Sequence, residues 1–473
     1  MTLNYMIDLT QVPAEIKAVM NIFKEANYEI YIVGGAVRDL LLEKQPHDYD
    51  LTTNALPKQM IELCEKQNLK YIPTGLKHGT ITILYEEYPI EVTTFRIDGE
   101  YSDNRHPDKV EFTSSLKEDL ARRDLTINAL ALDLSGRIYD YFGGIKDLFD
   151  GPRIKIDTVG NPEERFNEDG LRILRAYRFA AQLDGEIVIP KYIIDRNLHL
   201  IRNISNERIR DELDKYLLGN NINEYFEDFI KLVAVKVPKL MNLFMIQNNK
   251  WHTYQVLTQH TSHVITLCQN DLVTRLAALF HDIGKKTCYT EEIIDGQING
   301  HFYEHPAASA SIAEDCLKTL KYPNDTIKQV VCLILYHDAE IAYSKKSVKK
   351  ILNNINNFIT SENIDKYELF KKLIDLKDAD RRTHNQKLLI DSKLKPIFIN
   401  EYLDILEEIK DEQECFSLKD LAINGNDLIE LEYKQGPKFK VILEDCLTNV
   451  LDEKLENKKE ILVKYILENY SKN

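Results

Sequence analysis

No stretch of this sequence approaches the roughly 18 consecutive apolar residues that a membrane-spanning helix needs. The N-terminus, MTLNYMIDLTQVP, lacks the basic-then-apolar pattern of a secretory signal. The expectation is a cytoplasmic protein with no membrane partner. Cysteine is sparse as well. The seven present (Cys64, Cys268, Cys288, Cys316, Cys332, Cys415 and Cys446) form no CxxC pair, which suggests neither a disulfide framework nor a zinc knuckle. No internal repeat or low-complexity tract stands out beyond the polar patch NNINNF (353–358).

Arginine is nearly missing from one half of the chain. Fifteen lie between Arg38 and Arg210, and only Arg275, Arg381 and Arg382 follow. A net charge of −15 would alone argue against a nucleic-acid partner, since polyanions are usually met by basic surfaces. The uneven distribution changes that reading. Arginine's rigid fork suits phosphate and base edges better than lysine's point charge, so the first half is where an anionic substrate would be handled.

What is there is a globular balance, 44% hydrophobic and 29% charged, in 473 residues, a length that implies several domains. YEIYIV (28–33) reads as a strand closed by Gly34 and Gly35, and AVRDLLL starts a short helix. DYDLTT (48–53) reads as a second strand, with Pro57 opening the next helix. GTITILY (79–85) and IEVTTFR (90–96) complete a small alternating sheet. Residues 99–109 are polar and turn-rich and read as a mobile loop; 128–134 and 137–141 read as a hairpin. After Gly151 the pattern turns helical, with amphipathic stretches at 168–183, 207–218, 273–280 and 308–320.

Asp48 and Asp50 flank one residue, so on a strand both point to one face, about 6.5–7 Å apart along the backbone. Such carboxylates repel and raise each other's pKa unless a cation sits between them. Two divalent ions there could activate an attacking hydroxyl and stabilise leaving phosphate oxygens. Glu91, on the neighbouring strand, is the best third donor. The Gly34-Gly35 turn would offer backbone N–H groups to a triphosphate, with Arg38 to hold phosphate and Asp39 to orient the turn or a basic neighbour.

The series GGAVRD (34–39), DYDLTT (48–53), EVTTFR (91–96), RRDLTINAL (122–130), FGGIKDL (142–148), RFNEDGLRILRAYRF (165–179) and SNERIRDEL (205–213) resembles the class II tRNA nucleotidyltransferases, the bacterial CCA-adding enzymes and their poly(A) polymerase relatives. One departure is Glu43, where that family often carries glycine. The resemblance implies an α+β fold, a small mixed-sheet nucleotidyltransferase head followed by mostly helical domains including an HD-type helical domain. The expected division is a head at 1–150, a nucleobase-recognition neck at 151–220, a body at 221–390 with its HD-type core near 248–390, and a tRNA-binding tail at 391–473.

By the same resemblance, Asp48 and Asp50 would bind two Mg2+ ions with Glu91 as the third carboxylate. Arg122, Arg123 and Asp124 would meet the phosphates and ribose of the nucleotide, and Asn128, Arg175 and Arg178 would complete its site. Asp169 and Arg172 would read the base of CTP or ATP. Residue chemistry agrees: an aspartate accepts from the amino group that cytosine and adenine present, whereas uracil and guanine offer a carbonyl there. The spacing suggests Asp169 and Arg172 side by side on one helix, at i and i+3. The loop 99–109, with Arg105, is the movable part that would let one pocket take C and then A. The product expected is CCA on the 3′ end of tRNA, with poly(A) addition and CC-only or A-only addition as the nearest alternatives. A silent RNA-binding factor would have no use for carboxylates facing a polyanion.

Histidines crowd the middle of the chain, at His252, His260, His263, His281, His301, His305 and His337. Buried imidazoles beside carboxylates need a proton network or a metal. LAALFHDIGKK (276–286) resembles the HD phosphohydrolases, which implies a divalent metal on His260, His281, Asp282 and either Asp380 or Asp378. His305 and His337 would complete a second metal or hold phosphate; His252 and His263 read as packing or surface residues. A phosphohydrolase with a regulatory nucleotide-binding head is the alternative from that side. Lys434, Lys438 and Lys440, around Gly436-Pro437 in the tail, are candidates for RNA phosphates.

Overall fold

Alternation of β-branched and polar residues builds the sheet near the N-terminus, and its register decides where the acidic residues emerge. In the computed structural model, which describes residues 6–99, 110–294, 296–391 and 397–472, the chain divides into two units, one up to Pro238 and one from Lys239.

The first unit opens with α1 (Ala14–Glu25), whose Ile16, Val19, Met20 and Phe23 are buried. β1 (Ile30–Val33), α2 (Gly35–Leu41), β2 (Asp50–Thr53) and α3 (Pro57–Lys66) follow, then β3 (Lys70–Gly75), β4 (Thr80–Tyr85) and β5 (Tyr88–Thr94). β6 (Arg96–Asp98) pairs with β7 (Val110–Phe112) apart from the main sheet, and α4 (Leu116–Ala121) leads to β8 (Leu130–Leu132), β9 (Ile138–Asp140) and α5 (Gly144–Phe149). Seven strands lie in the order β3-β4-β5-β2-β1-β8-β9. Only β2 and β5 run parallel within it, with Leu51 opposite Val92. β3 has no counterpart in the sequence reading because Pro73 argues against a strand; it is tolerated since β3 lies at the sheet edge. Val33, Phe95, Leu116, Leu120 and Ala131 form a core that packs α4 beneath the strands.

The same unit continues through β10 (Lys155–Ile156), α6 (Pro162–Glu168), α7 (Leu171–Leu183), β11 (Glu186–Ile187), α8 (Lys191–Asn197), α9 (Asn206–Leu217) and α10 (Phe226–Ala234). The single helix expected over 168–183 is broken. Asp169 is extended (φ −148°, ψ 107°) and ends α6, and α7 starts two residues later. Packing is close beside the break: a Cβ on Gly170 would lie 2.9 Å from the Cβ of Leu200, which accounts for glycine there. Tyr216 stacks on Phe229 at 3.8 Å and closes the core between α9 and α10.

The second unit is helical apart from one hairpin. α11 (Leu257–Leu267), α12 (Leu272–Phe280) and α13 (Lys285–Cys288) precede β12 (Thr290–Ile294) and β13 (Gln297–His301). α14 (His305–Thr319), α15 (Asn324–Tyr336), α16 (Lys345–Phe358), α17 (Lys366–Thr383) and α18 (Gln386–Asp391) come next. The polar patch NNINNF forms the last turns of α16, anchored by buried Leu352 and Ile355. α19 (Ile399–Asp411), α20 (Gly425–Glu430), α21 (Pro437–Leu451) and α22 (Lys459–Asn469) finish the chain, the last three around buried Leu428, Ile442, Cys446, Leu462 and Ile466. No helix among the described residues is long and apolar enough to cross a membrane.

Candidate functional site

β2 begins at Asp50, two residues later than the strand expected from Asp48, yet the alternation carries through: Tyr49 is buried, 5% exposed, between exposed Asp48 and Asp50. Asp50 stands opposite Val33 on β1, and the parallel register of β2 with β5 brings Glu91 alongside. The three carboxyls feel one another. Loss of water raises the Asp50 pKa, Arg123 draws it back, and Asp48 raises it further. Glu91 is raised by loss of water and then by Asp50 and Asp48. A cluster of this kind is an acceptor set for divalent cations, since a cation relieves both penalties at once.

The one guanidinium bearing on Asp50 is set by α4. Asp119, fully buried, accepts from Arg122 Nη2 at 2.8 Å and lies 3.7 Å from Arg123 Nη2. It also accepts from Thr52 Oγ1 at 3.1 Å, which ties the arginine turn to β2 two residues from Asp50. The sequence reading passed over Asp119, although its i, i+3 and i, i+4 spacing to two arginines was a usable signal. Gly34 has φ +76°, and a Cβ there would meet Arg123 Nη1 at 3.1 Å, so the glycine gives this side chain room beside the carboxylates. α2 beyond it is two turns long and begins at Gly35.

Arg38, Asn128, Asp124, Arg175 and Arg178 form one connected group. Arg38 Nη1 donates to Asn128 Oδ1 at 2.7 Å, and Asn128 Nδ2 to Asp124 Oδ1 at 3.4 Å. Arg175 Nε donates to Asp124 Oδ2 at 2.6 Å. Burial opposes the charge on Asp124, but Arg175 outweighs it and holds the carboxyl well below the usual range. Arg178 lies over the Phe179 ring at 3.6 Å and donates to Glu212 at 2.9 Å. Arg38 and Asp39 pair at 2.7 Å, so Asp39 orients its basic neighbour.

Asp169 and Arg172 stay linked at i and i+3, the Arg172 N–H donating to the Asp169 carbonyl at 3.0 Å, but their side chains take different partners across the helix break. Arg172 is paired with Glu168 and donates to the carbonyls of Arg165 at 3.2 Å and Arg122 at 3.0 Å. Asp169 is gripped instead by Arg208 of α9, at 2.6 and 3.3 Å. Arg105 and residues 100–109 lie outside the described residues.

In the second unit, His260, His281 and Asp282 bring ligating atoms together, and Asp282, His305 and His337 do the same. Asp282 joins the two groups: Oδ2 lies 3.1 Å from His260 Nε2 and 3.3 Å from His281 Nε2, and Oδ1 lies 3.2 Å from His305 Nε2. Asp380 approaches His260 Nε2 at 3.2 Å, whereas Asp378 turns to Arg382 at 3.5 Å, so Asp380 is the one that lies against the cluster. Each of three rings turns its Nδ1 to a backbone carbonyl: His281 to Ala278 at 2.7 Å, His305 to Phe302 at 2.9 Å and His337 to Ile334 at 2.7 Å. Those carbonyls fix Nδ1 as a donor and leave Nε2 of each ring facing inward. Burial opposes charge on His281, yet Asp282 and Asp380 push its pKa up to about 10; burial pulls His337 down to about 3.

Lys285 also belongs to this cluster, 2.6 Å from Asp282 and 2.9 Å from Gln247 Oε1, and was missed although it sits in the HDIGK string. His252 is buried 3.2 Å from Lys285 Nζ, and His263 stacks on Tyr254 at 4.1 Å. In the tail, Lys440 pairs with Glu444 at 3.5 Å and Lys438 donates to the Ser471 carbonyl at 2.6 Å.

Comparison with known proteins follows the same order along the chain. Residues 30–152 match the poly(A) polymerase head domain, 191–238 the RNA- and SrmB-binding site of polymerase A, and 307–466 the tRNA nucleotidyltransferase domain 2. The CCA-adding enzyme of Ligilactobacillus salivarius is 41% identical over 273 residues, 55% of this chain and 66% of its own length. That of Lactobacillus helveticus is 46% identical over 213 residues, so the chain aligns with only 52% of that relative. The crystal structure of the Bacillus stearothermophilus CCA-adding enzyme in complex with CTP matches 96% of both chains, with a TM-score of 0.68 and 26% identity. Similarity also runs nearly end to end, at 32% identity over 93% of this chain and 93% of the Oceanobacillus iheyensis CCA-adding enzyme, and on that span the chain belongs to the CCA-adding enzyme family of tRNA nucleotidyltransferases.

Proposed function

We propose that this protein adds C, C and A to the 3′ end of tRNA, using CTP and ATP and releasing pyrophosphate. The observation that carries the reading is the Asp48, Asp50 and Glu91 cluster, whose mutual repulsion is opposed within the head by Arg123. Mg2+ held there would assist loss of the proton from the tRNA 3′ hydroxyl and neutralise the triphosphate. The hydroxyl oxygen attacks the α-phosphorus, the bond to the β-phosphate breaks, and pyrophosphate carries the charge away. Arg122 and Arg123, fixed by Asp119, are positioned to meet the triphosphate. Arg38, Asn128 and Asp124 form a buried hydrogen-bonded set suited to ribose hydroxyls, with Arg175 and Arg178 behind it. Asp169 accepts from the amino group of C or A and leaves U and G without a donor; Arg172 contributes the donor side of the same readout.

The test supplies the purified protein with tRNA lacking its 3′ end and gives CTP and ATP separately and together. Two additions with CTP and a third on adding ATP are expected. Runs of A would favour poly(A) addition, and no extension under any condition would overturn the assignment.

A second reading concerns the histidine–aspartate cluster. Inward-facing Nε2 lone pairs 3.2 Å apart on His260 and His281 repel unless a proton or a metal lies between them. We infer an HD-type site in which His260, His281, Asp282 and Asp380 hold a divalent metal, with His305 and His337 extending it. Such a metal would supply a nucleophilic water for phosphoester hydrolysis. Metal content of the full chain, measured with the head carboxylates neutralised, tests this; a metal-free protein after saturation with Mn2+, Ni2+ or Zn2+ removes it.

A further inference from the structure

α9 faces α7 with two charged side chains one helical turn apart, and each serves a different group of the base and ribose site. Glu212 takes Arg178 at 2.9 Å; Arg208 takes Asp169. The Arg208 contact is a fork, with Nη2 on Oδ2 at 2.6 Å and Nη1 on Oδ1 at 3.3 Å. Oδ1 also accepts the Leu171 N–H at 3.0 Å. Each carboxylate oxygen accepts about two hydrogen bonds. Oδ1 is therefore filled, and Oδ2 keeps a single open acceptor direction. The pair stays partly open to solvent, 16% for Asp169 and 24% for Arg208, so that direction is within reach of a ligand.

We propose that Arg208 is a specificity-determining residue, which selects the base by fixing the carboxylate of Asp169. This rests on the reading of Asp169 as the group that accepts from the amino group of C or A. An aspartate's terminal torsion is broad and roughly two-fold, so the side chain alone does not define where its lone pairs point. Asp169 is also outside any helix, in an extended residue between α6 and α7, where the Leu171 N–H holds Oδ1 alone. The fork from Arg208 adds the second restraint, the one that reaches Oδ2. With donors facing both oxygens, the group offers a base edge only acceptance. A swinging Asp169 could draw in water as a bridge and tolerate the carbonyl of U or G. Arg172 points its side-chain contacts elsewhere, to Glu168 and the carbonyls of Arg165 and Arg122, and keeps further N–H groups for the base.

The experiment measures kcat/KM for CTP, ATP, UTP and GTP on tRNA lacking its 3′ end, with the full-length chain and four variants: Arg208→Lys, Arg208→Gln, Asp169→Ala and Asp169→Ala/Arg208→Lys. Lysine keeps the charge and loses the fork. Arg208→Lys is expected to lower the preference for CTP over UTP by about tenfold or more, chiefly through KM for CTP, with its melting temperature little changed. Arg208→Gln reads the same quantity should the lysine variant fold poorly. The double variant is expected to discriminate no worse than Asp169→Ala, because both changes remove one device. Arg208 variants that slow CTP and UTP equally, or whose loss adds fully to that of Asp169→Ala, would overturn the inference while leaving Asp169 as the reader. Unchanged preference in Asp169→Ala would overturn the base reading itself.

Discussion

The two acidic clusters of this protein solve opposite problems. In the first unit, Asp48, Asp50 and Glu91 gather at the sheet, where loss of water and then the neighbouring carboxylates raise Asp50 and Glu91, and Arg123 moderates Asp50. In the second, Asp282 and Asp380 are driven well below the usual carboxylate range despite burial, because His281, Lys285 and His384 surround them. An open, self-repelling set binds a cation weakly and lets it arrive with a nucleotide. A buried set with its imidazoles fixed by carbonyls is built to retain one. On the proposed reading, location follows chemistry: the site that would exchange substrate at each addition lies at the sheet, and the site that would keep an ion lies between helices.

The largest effect that could break this comparison is in the head. Asp50→Asn should reduce nucleotide addition by about 10³-fold, several kcal/mol of transition-state stabilisation. In Mg2+-free buffer the same variant should melt no lower than the parent at pH 7. The sign follows from the shift: a carboxylate whose folded pKa is raised opposes folding once pH exceeds that value, so neutralising it removes a penalty. Because Asp50 is exposed, the gain is at most about 1 kcal/mol. Calorimetry beside a primer-extension assay measures both; a destabilised, active Asp50→Asn would contradict the open-cluster account. Next comes His281→Ala. Removing that ring leaves Asp282 and Asp380 short of a partner, and the second unit should lose about 3 kcal/mol. Bound metal should fall with it, while CTP addition survives wherever the protein stays folded. Urea unfolding with metal analysis provides the check, and unaltered stability together with unaltered metal content would contradict a retained ion.

The sheet carrying the carboxylates was legible because period-two patterning and the i, i+2 spacing are local. DYD and IEVTTFR announced a shared face, although only the parallel β2–β5 register brings Glu91 to it. What sequence could not give is set by distant packing. The break falls at Asp169, beside a Gly170 that Leu200, thirty positions along, leaves no room for a side chain, so an unbroken helical pattern misled the reading and hid Arg208. Asp119 was readable from EDLARRD, but its bond to Thr52 was not. Glu43, noted as standing where related sequences carry glycine, has φ +55° and ends α2 in the left-handed region, so glycine at that position has a backbone reason. Four histidines gathered from α11, the α12 end, α14 and the α15 end were legible only through resemblance, since no spacing rule joins residues so far apart.

The smallest effect sharpens the comparison within the first unit, where a held carboxylate lies near the repelled ones. Asp124 is opposed by burial but pulled well below its ordinary 3.8 by Arg175. A depressed folded pKa gives stability that is fully present above the unfolded value and is lost as pH falls through the folded one. Acid unfolding of the parent should therefore steepen below about pH 4, where the unfolded chain takes up a proton that the folded chain refuses. Asp124→Asn keeps the shape and the Asn128 contact but forfeits the charge, and should cost about 1–2 kcal/mol at pH 7. That cost should shrink steadily from pH 4 downward. Asp50→Asn should show the opposite trend, its small benefit vanishing as acid protonates the parent's carboxyl. Thermal midpoints of the two variants between pH 3 and 7 would then converge on the parent from opposite sides, and parallel curves would mean that the two carboxylates differ in packing rather than in charge.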